Sequence, residues 1–149
     1  MRNFSLPIRF GLATSGSLIA YFLILSLINL HTQVFYSLFN VVITGFGIYE
    51  AIKYRVLEEG QKFNYAKGFS TGLITGFMGT LIFTLFFAFY ATEINTDFLT
   101  QLFENRFENL NLEGMVFFTV AIMGIATTLI LTLTFMQLFK TSKNLNKKQ

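Results

Sequence analysis

Long uncharged runs alternate along this chain with short segments in which the charges gather. Phe10 to Leu30, FGLATSGSLIAYFLILSLINL, is the first such run. Gln33 to Ile52 is the second and carries only Glu50, near its end; Phe69 to Tyr90 and Met115 to Phe139 carry no charge at all. Each run is about 20 residues or longer, enough for a helix rising about 1.5 Å per residue to cross a hydrocarbon core. Strands do not fit, because an isolated spanning strand leaves its backbone unpaired in lipid, and the runs are about twice strand length. The pattern therefore predicts an all-α, integral membrane four-helix bundle. A single transmembrane domain over 1–149 is expected, with spans at about 10–30, 33–52, 69–90 and 115–139.

Composition agrees with a membrane solvent. Hydrophobic residues make up 53%, charged residues 13%, phenylalanines number 20 and the mean hydropathy is +0.56; an ordinary globular chain is about 25% charged. With no cysteine, disulfides, thiolate metal sites and cysteine nucleophiles are excluded. The first run follows Arg2 and Arg9 as a signal peptide would. It is longer than the usual apolar core of about 7 to 15 residues and no small-x-small cleavage site follows Leu30, so a retained span is expected.

The net charge of +3 is small, and its distribution is more informative. Arg2 and Arg9 precede the first span; Lys53, Arg55, Lys62 and Lys67 separate the second from the third; Lys140, Lys143, Lys147 and Lys148 follow the fourth. Only Arg106 lies on the other side, among Glu93, Asp97, Glu104, Glu108 and Glu113. Because basic flanks stay cytoplasmic, both termini are expected inside, with 140–149 a basic cytoplasmic tail. Tyr36, Tyr49, Tyr54, Tyr65 and Tyr90 fall near the expected interfaces, while Tyr21 is mid-span.

The few residues around His31 and Thr32 make the first two spans an antiparallel hairpin. KYRVLEEGQKFNYAK continues the second span as charged helix until Gly60, a helix stop. Its basic residues set topology, and each is worth about 1 kcal/mol against anionic headgroups. Between spans three and four, TDFLTQLFENRFENLNL places Phe98, Leu99, Leu102, Phe103, Phe107 and Leu110 at helical spacing opposite Gln101, Glu104, Asn105 and Glu108. An amphipathic interfacial helix is expected over about 97–110, with Thr96 or Asp97 as N-cap. Its acidic polar face argues against basic-helix membrane targeting. A structural re-entry helix is the simpler reading; the alternative is an outer docking face made by Phe98, Leu102, Phe103 and Phe107.

Intramembrane charge is costly and often functional, and only Glu50 qualifies. Lys53 stands three residues on, at the spacing of a surface ion pair; the alternative is a proton- or cation-coupled role. His31 is the lone histidine and makes no zinc site without partners. Asn29, Asn40, Gln137 and the fourth-span threonines Thr119, Thr127, Thr128, Thr132 and Thr134 can hydrogen-bond helix backbones or neighbours. No nucleophile, base or carboxylate pair gathers, so neither an enzyme, a cofactor nor a metal site is expected, and no nucleic-acid partner.

GFSTGLITGFMG holds Gly68, Gly72, Gly76 and Gly79. A phosphate-binding loop would need Lys and Ser or Thr after the last glycine, and TLIF follows instead. At 100° per residue the four lie within about 80° of one another, a small-xxx-small packing face. The face continues as Phe83, Phe86 and Tyr90, so close approach is confined to the inner half. Gly11, Ser15 and Gly16, Gly45, and Gly124 with Thr128 are the facing candidates; packing within the chain is preferred to a dimer interface, which stays open.

GIYEAIKYR closing span two, GQKFNYAKGFSTGLITG leading into span three, and INTDFL after it resemble the domain-of-unknown-function 4199 family, small four-span inner-membrane proteins of Bacteroidota. The resemblance places that family's glycine, phenylalanine, small residue and third-span glycine at Gly60, Phe63, Ala66 and Gly72. It implies a bacterial inner membrane and carries no activity with it. Together these readings lead to a non-enzymatic accessory or scaffolding subunit of a membrane assembly, with lipid, other membrane subunits or its own copies as partners. The alternative is a small transporter or channel using Glu50.

Overall fold

The structure, a computed structural model, describes residues 2–30, 34–95 and 112–139. Among the described residues there are four long helices and no strand: α1 (Arg2–Leu27), α2 (Val34–Glu59), α3 (Tyr65–Phe89) and α4 (Leu112–Leu138). All four are long and apolar enough to cross a membrane. The fold is all-helical among the described residues, and its four apolar helices make the chain a multi-pass membrane protein. The amphipathic helix expected over 97–110 and the tail over 140–149 lie outside the described residues, as does His31.

Helix ends depart from the uncharged runs for local reasons. α1 begins well before Phe10 and has Pro7 inside it. It stops short of Leu30 because Asn29 turns left-handed at φ 54°, a conformation asparagine tolerates better than most residues. The Asn29 N–H then returns to the Ser26 carbonyl at 3.1 Å and the Leu30 N–H to the Leu25 carbonyl at 2.9 Å, which satisfies the last carbonyls in a Schellman arrangement. α2 runs past Ile52 to Glu59, its charged end supported by Glu50–Lys53, Arg55–Glu58 and Arg55–Glu59 pairs at helical spacing. Gly60, at φ 50°, ends it. A short 3₁₀ turn, Gly60–Lys62, leads to Asn64, whose side chain accepts the Lys67 N–H at 2.9 Å and caps α3. After Phe89 the last turn of α3 widens over Tyr90–Ile94, where the Asn95 N–H reaches back five residues to the Tyr90 carbonyl.

α3 is the central helix and touches the other three. Two apolar clusters occupy the ends of the bundle. Ile48, Ile52 and Met136 pack with Phe63, Phe69, Phe135 and Phe139 at the end where α2 passes into α3. At the other end Phe22 stands edge-on to Phe87 and Tyr90, with centroids 5.6 and 4.9 Å apart, and Ala91 and Val116 complete the cluster. Tyr90 also hydrogen-bonds Ser26 across α1 and α3.

Between the clusters lies a layer of glycines and hydroxyls. A β-carbon on Gly68 would meet the Met136 thioether at 2.7 Å; one on Gly72 would meet Thr132 Cγ2 at 2.7 Å; one on Gly76 would overlap Thr128. One step further the pattern reverses, and a β-carbon on Gly124 of α4 would overlap Thr80 of α3. Each step moves four residues up one helix and four down the other. The i±4 rows of the two helices therefore interdigitate, and the glycines are the grooves. Thr128 and Thr132 are fully buried, and both hydroxyls lack a conventional hydrogen-bond partner, whereas the exposed Thr119 and Thr134 bond the carbonyls four residues back.

Gly79 does not share this groove. Its nearest neighbours are Thr14 Cγ2 at 3.4 Å and the Gly11 carbonyl at 3.8 Å, both on α1. The expected single face of four glycines divides because a row of i+4 steps drifts about 40° around the helix per step. By the level of Thr80, the row has turned away from Gly79. Of the facing candidates, Gly11 packs on Met78 and the Thr75 carbonyl, Gly45 meets Leu131, and Gly124 and Thr128 lie in the α3–α4 seam. Gly16 instead has open space around it. Gly47, on α2, fits against Thr14, so this one threonine fills the junction of α1, α2 and α3.

Replacing Gly76 by leucine is expected to lower stability in detergent by about 3 kcal/mol or to abolish folding, whereas Gly16→Ala changes it by less than about 1 kcal/mol. Thermal unfolding of the purified variants checks both. Thr128→Ala in a Gly76→Ala background should recover part of the loss, since the two side chains compete for one space.

Candidate functional site

Two charges on α2 have opposite surroundings. Glu50 is half-buried, and Lys53 of the same helix donates to both its oxygens, at 3.1 and 3.5 Å. The ammonium also stands 5.8 Å from the Tyr49 ring centre. Glu50 is therefore satisfied by its own helix, one turn away.

Arg55 is oriented inward. Ile48, Ala51 and Ile52 form the buried face of α2, and Arg55 continues that face at the same helical spacing, with its side chain only 6% exposed. Its Nε donates to Thr71 Oγ1 at 3.1 Å. Thr71 in turn donates to the Lys67 carbonyl at 2.8 Å, so one hydroxyl accepts from α2 and donates within α3. The guanidinium lies 3.5 Å from Glu58 and 3.6 Å from Glu59. These contacts are longer than the roughly 2.7–2.9 Å of tight charge-assisted bonds. The second Glu59 oxygen takes Lys67 Nζ at 2.9 Å. Arg55, Glu59 and Lys67 thus clasp the end of α2 to the start of α3 across the short connection.

An open cleft of about 290 Å³ lies beside this clasp. Pro7 contributes from α1, Arg55 and Glu59 from α2, and Asn64, Ala66, Lys67, Ser70, Thr71 and Ile74 from α3 and its cap. Thr75 donates to the Pro7 carbonyl at 3.2 Å and holds the α1 wall against α3. The lining offers charge and hydrogen-bond donation beside an apolar wall, the ingredients of a binding site. Among the described residues no three histidine, aspartate or glutamate side chains gather as a metal site.

The structure distributes the residues singled out from sequence. Gly68, Gly72 and Gly76 line the α3–α4 seam, Gly79 faces α1, and Glu50 is outside the cleft lining. Phe98, Leu102, Phe103 and Phe107 lie outside the described residues. In the sequence Arg55 reads only as one of the topology-setting basic residues. The signal that marks it is its place three and seven residues beyond the inward-facing Ile52 and Ile48.

The family profile described as Protein of unknown function (DUF4199) matches residues 9–141 of the chain. No curated protein and no solved structure gives a significant match.

Thr71→Val keeps the shape of the buried side chain while removing the acceptor for Arg55 Nε, and is expected to cost about 1–2 kcal/mol in thermal unfolding. Glu50→Gln should cost less than about 1 kcal/mol in the same measurement, because Lys53 keeps access to solvent.

Proposed function

The chain belongs to the family described as Protein of unknown function (DUF4199), and from that premise we propose that it is a non-enzymatic accessory or scaffolding subunit of a larger membrane protein assembly. Its place is the inner membrane of a bacterium, with both termini cytoplasmic. The orientation is supported by the topology of the charges. Arg9, Lys53, Arg55, Lys62 and Lys67 gather at the end of the bundle where α1 begins and α2 meets α3, and Glu93 lies at the other.

The observation that carries the scaffold reading is the interlocked interior. Glycines of α3 and α4 accept threonine side chains from each other, and Thr14 ties α1 to both α2 and α3. Sliding any helix past its neighbour would drive a side chain into a backbone. Such a bundle suits a fixed structural part better than one that must rock open around a midplane site. Outward, large apolar residues such as Phe46, Leu85, Phe118, Met123 and Ile130 are exposed to lipid or to neighbouring subunits. A transporter or channel using Glu50 is disfavoured by the Lys53 pair, which neutralises that carboxylate within its own helix.

Extraction in mild detergent followed by mass spectrometry is expected to recover a membrane protein with this chain in fixed stoichiometry. A monomer with no co-purifying protein would count against the subunit reading. In proteoliposomes, Glu50→Gln should leave ion and proton flux unchanged; abolition of a pH-dependent flux would replace the scaffold with the transporter.

A further inference from the structure

We propose that the cleft beside Arg55 binds the headgroup of a phospholipid, and that it favours an amine-bearing, zwitterionic headgroup over an anionic one. This goes beyond the scaffold reading and does not depend on a protein partner. The cleft, at about 290 Å³, falls at the lower end of ligand pockets, which run from about 300 Å³ upward, a size for a headgroup rather than a larger cofactor. Its walls change character along the bundle axis. Asn64, Lys67, Ser70 and the Arg55–Glu59 clasp lie towards the α2–α3 connection, and Pro7 and Ile74 lie further into the spans. An amphiphile seated there would place its phosphate near Lys67 and Ser70 and its glycerol and chains against Pro7 and Ile74. The level is right for such a ligand, because the cleft opens at the ends of helices that cross the membrane, with the exposed Tyr54 and Tyr65 nearby.

Charge decides the headgroup. A cleft holding Arg55 and Lys67 alone would select anionic lipid. Here Glu58 and Glu59 both lie within 3.6 Å of Arg55, and Glu59 also holds Lys67 at 2.9 Å, so the charges offset. Lys67 Nζ has three donors and spends one on Glu59. A phosphate oxygen can take another of those donors, while the lipid ammonium reaches the Glu59 carboxylate. Phosphatidylglycerol would place the same phosphate there but brings no cation to the Glu59 carboxylate.

The test is native mass spectrometry of the delipidated full chain in detergent, titrated with palmitoyl-oleoyl phosphatidylethanolamine, palmitoyl-oleoyl phosphatidylglycerol or inorganic phosphate. One phosphatidylethanolamine is expected to bind, about fivefold tighter than phosphatidylglycerol, with millimolar phosphate failing to displace it. Ser70→Phe, which fills the cleft from an exposed position, should weaken it about tenfold with the melting temperature unchanged, and Lys67→Gln, which also removes the Glu59 contact of the clasp, should weaken it about tenfold while the chain stays folded. If Ser70→Phe does not fold, Lys67→Gln decides. The proposal fails if no lipid is retained, if both folded variants bind as the parent does, or if phosphatidylglycerol binds as tightly. Displacement by inorganic phosphate would also overturn it, by assigning the cleft to the free anion.

Discussion

Within a bilayer an apolar side chain gains nothing by exchanging lipid for another helix, so four apolar helices have no solvent-driven reason to associate. Contact has to come from close approach. In this protein that approach depends on α3, whose glycines let the threonines and methionine of α4 rest against its backbone. The α4 hydroxyls of Thr132 and Thr128 face Gly72 and Gly76 inside this seam. Dispersion summed over many such contacts is the main attraction available, and it falls steeply with any gap.

The same closeness organises the rest. With α4 on one side of α3 and α1 on another, Thr14 fits against Gly47 and draws α2 into the bundle. α2 then has one inward face, and that face carries Ile48, Ala51, Ile52 and finally Arg55. A guanidinium brought in this way needs partners, and Thr71, Glu58 and Glu59 provide them. The cleft is what remains between Pro7 and the first turns of α3 once the clasp has formed.

Spans, the Gly60 stop and the glycine packing face were all legible in the chain, because each rests on local properties: absence of charge, backbone freedom and helical phase. The division of the glycines was not. Phase alone places Gly79 between Gly68 and Gly72, and only the inclination of the contact row against α4 turns it toward α1. Glu50 and Arg55 show the same limit from the other side. Glu50 stood out as the one charge inside an apolar run, yet its own helix satisfies it. Arg55 looked like one basic residue among several in a charged segment, yet it is the one whose side chain the fold encloses among the described members of that segment.

The sequence by itself determined that this is a helical membrane protein, since uncharged length and the need to pair every backbone group inside lipid leave little choice. It also placed the small residues that permit contact. Which helix fills which groove, and which charge is drawn inside, only the tertiary structure decided. Those outcomes depend on the mutual register of helices far apart in the chain, and in lipid that register is set by the shapes of the facing surfaces rather than by hydrophobicity, which is nearly the same on every side.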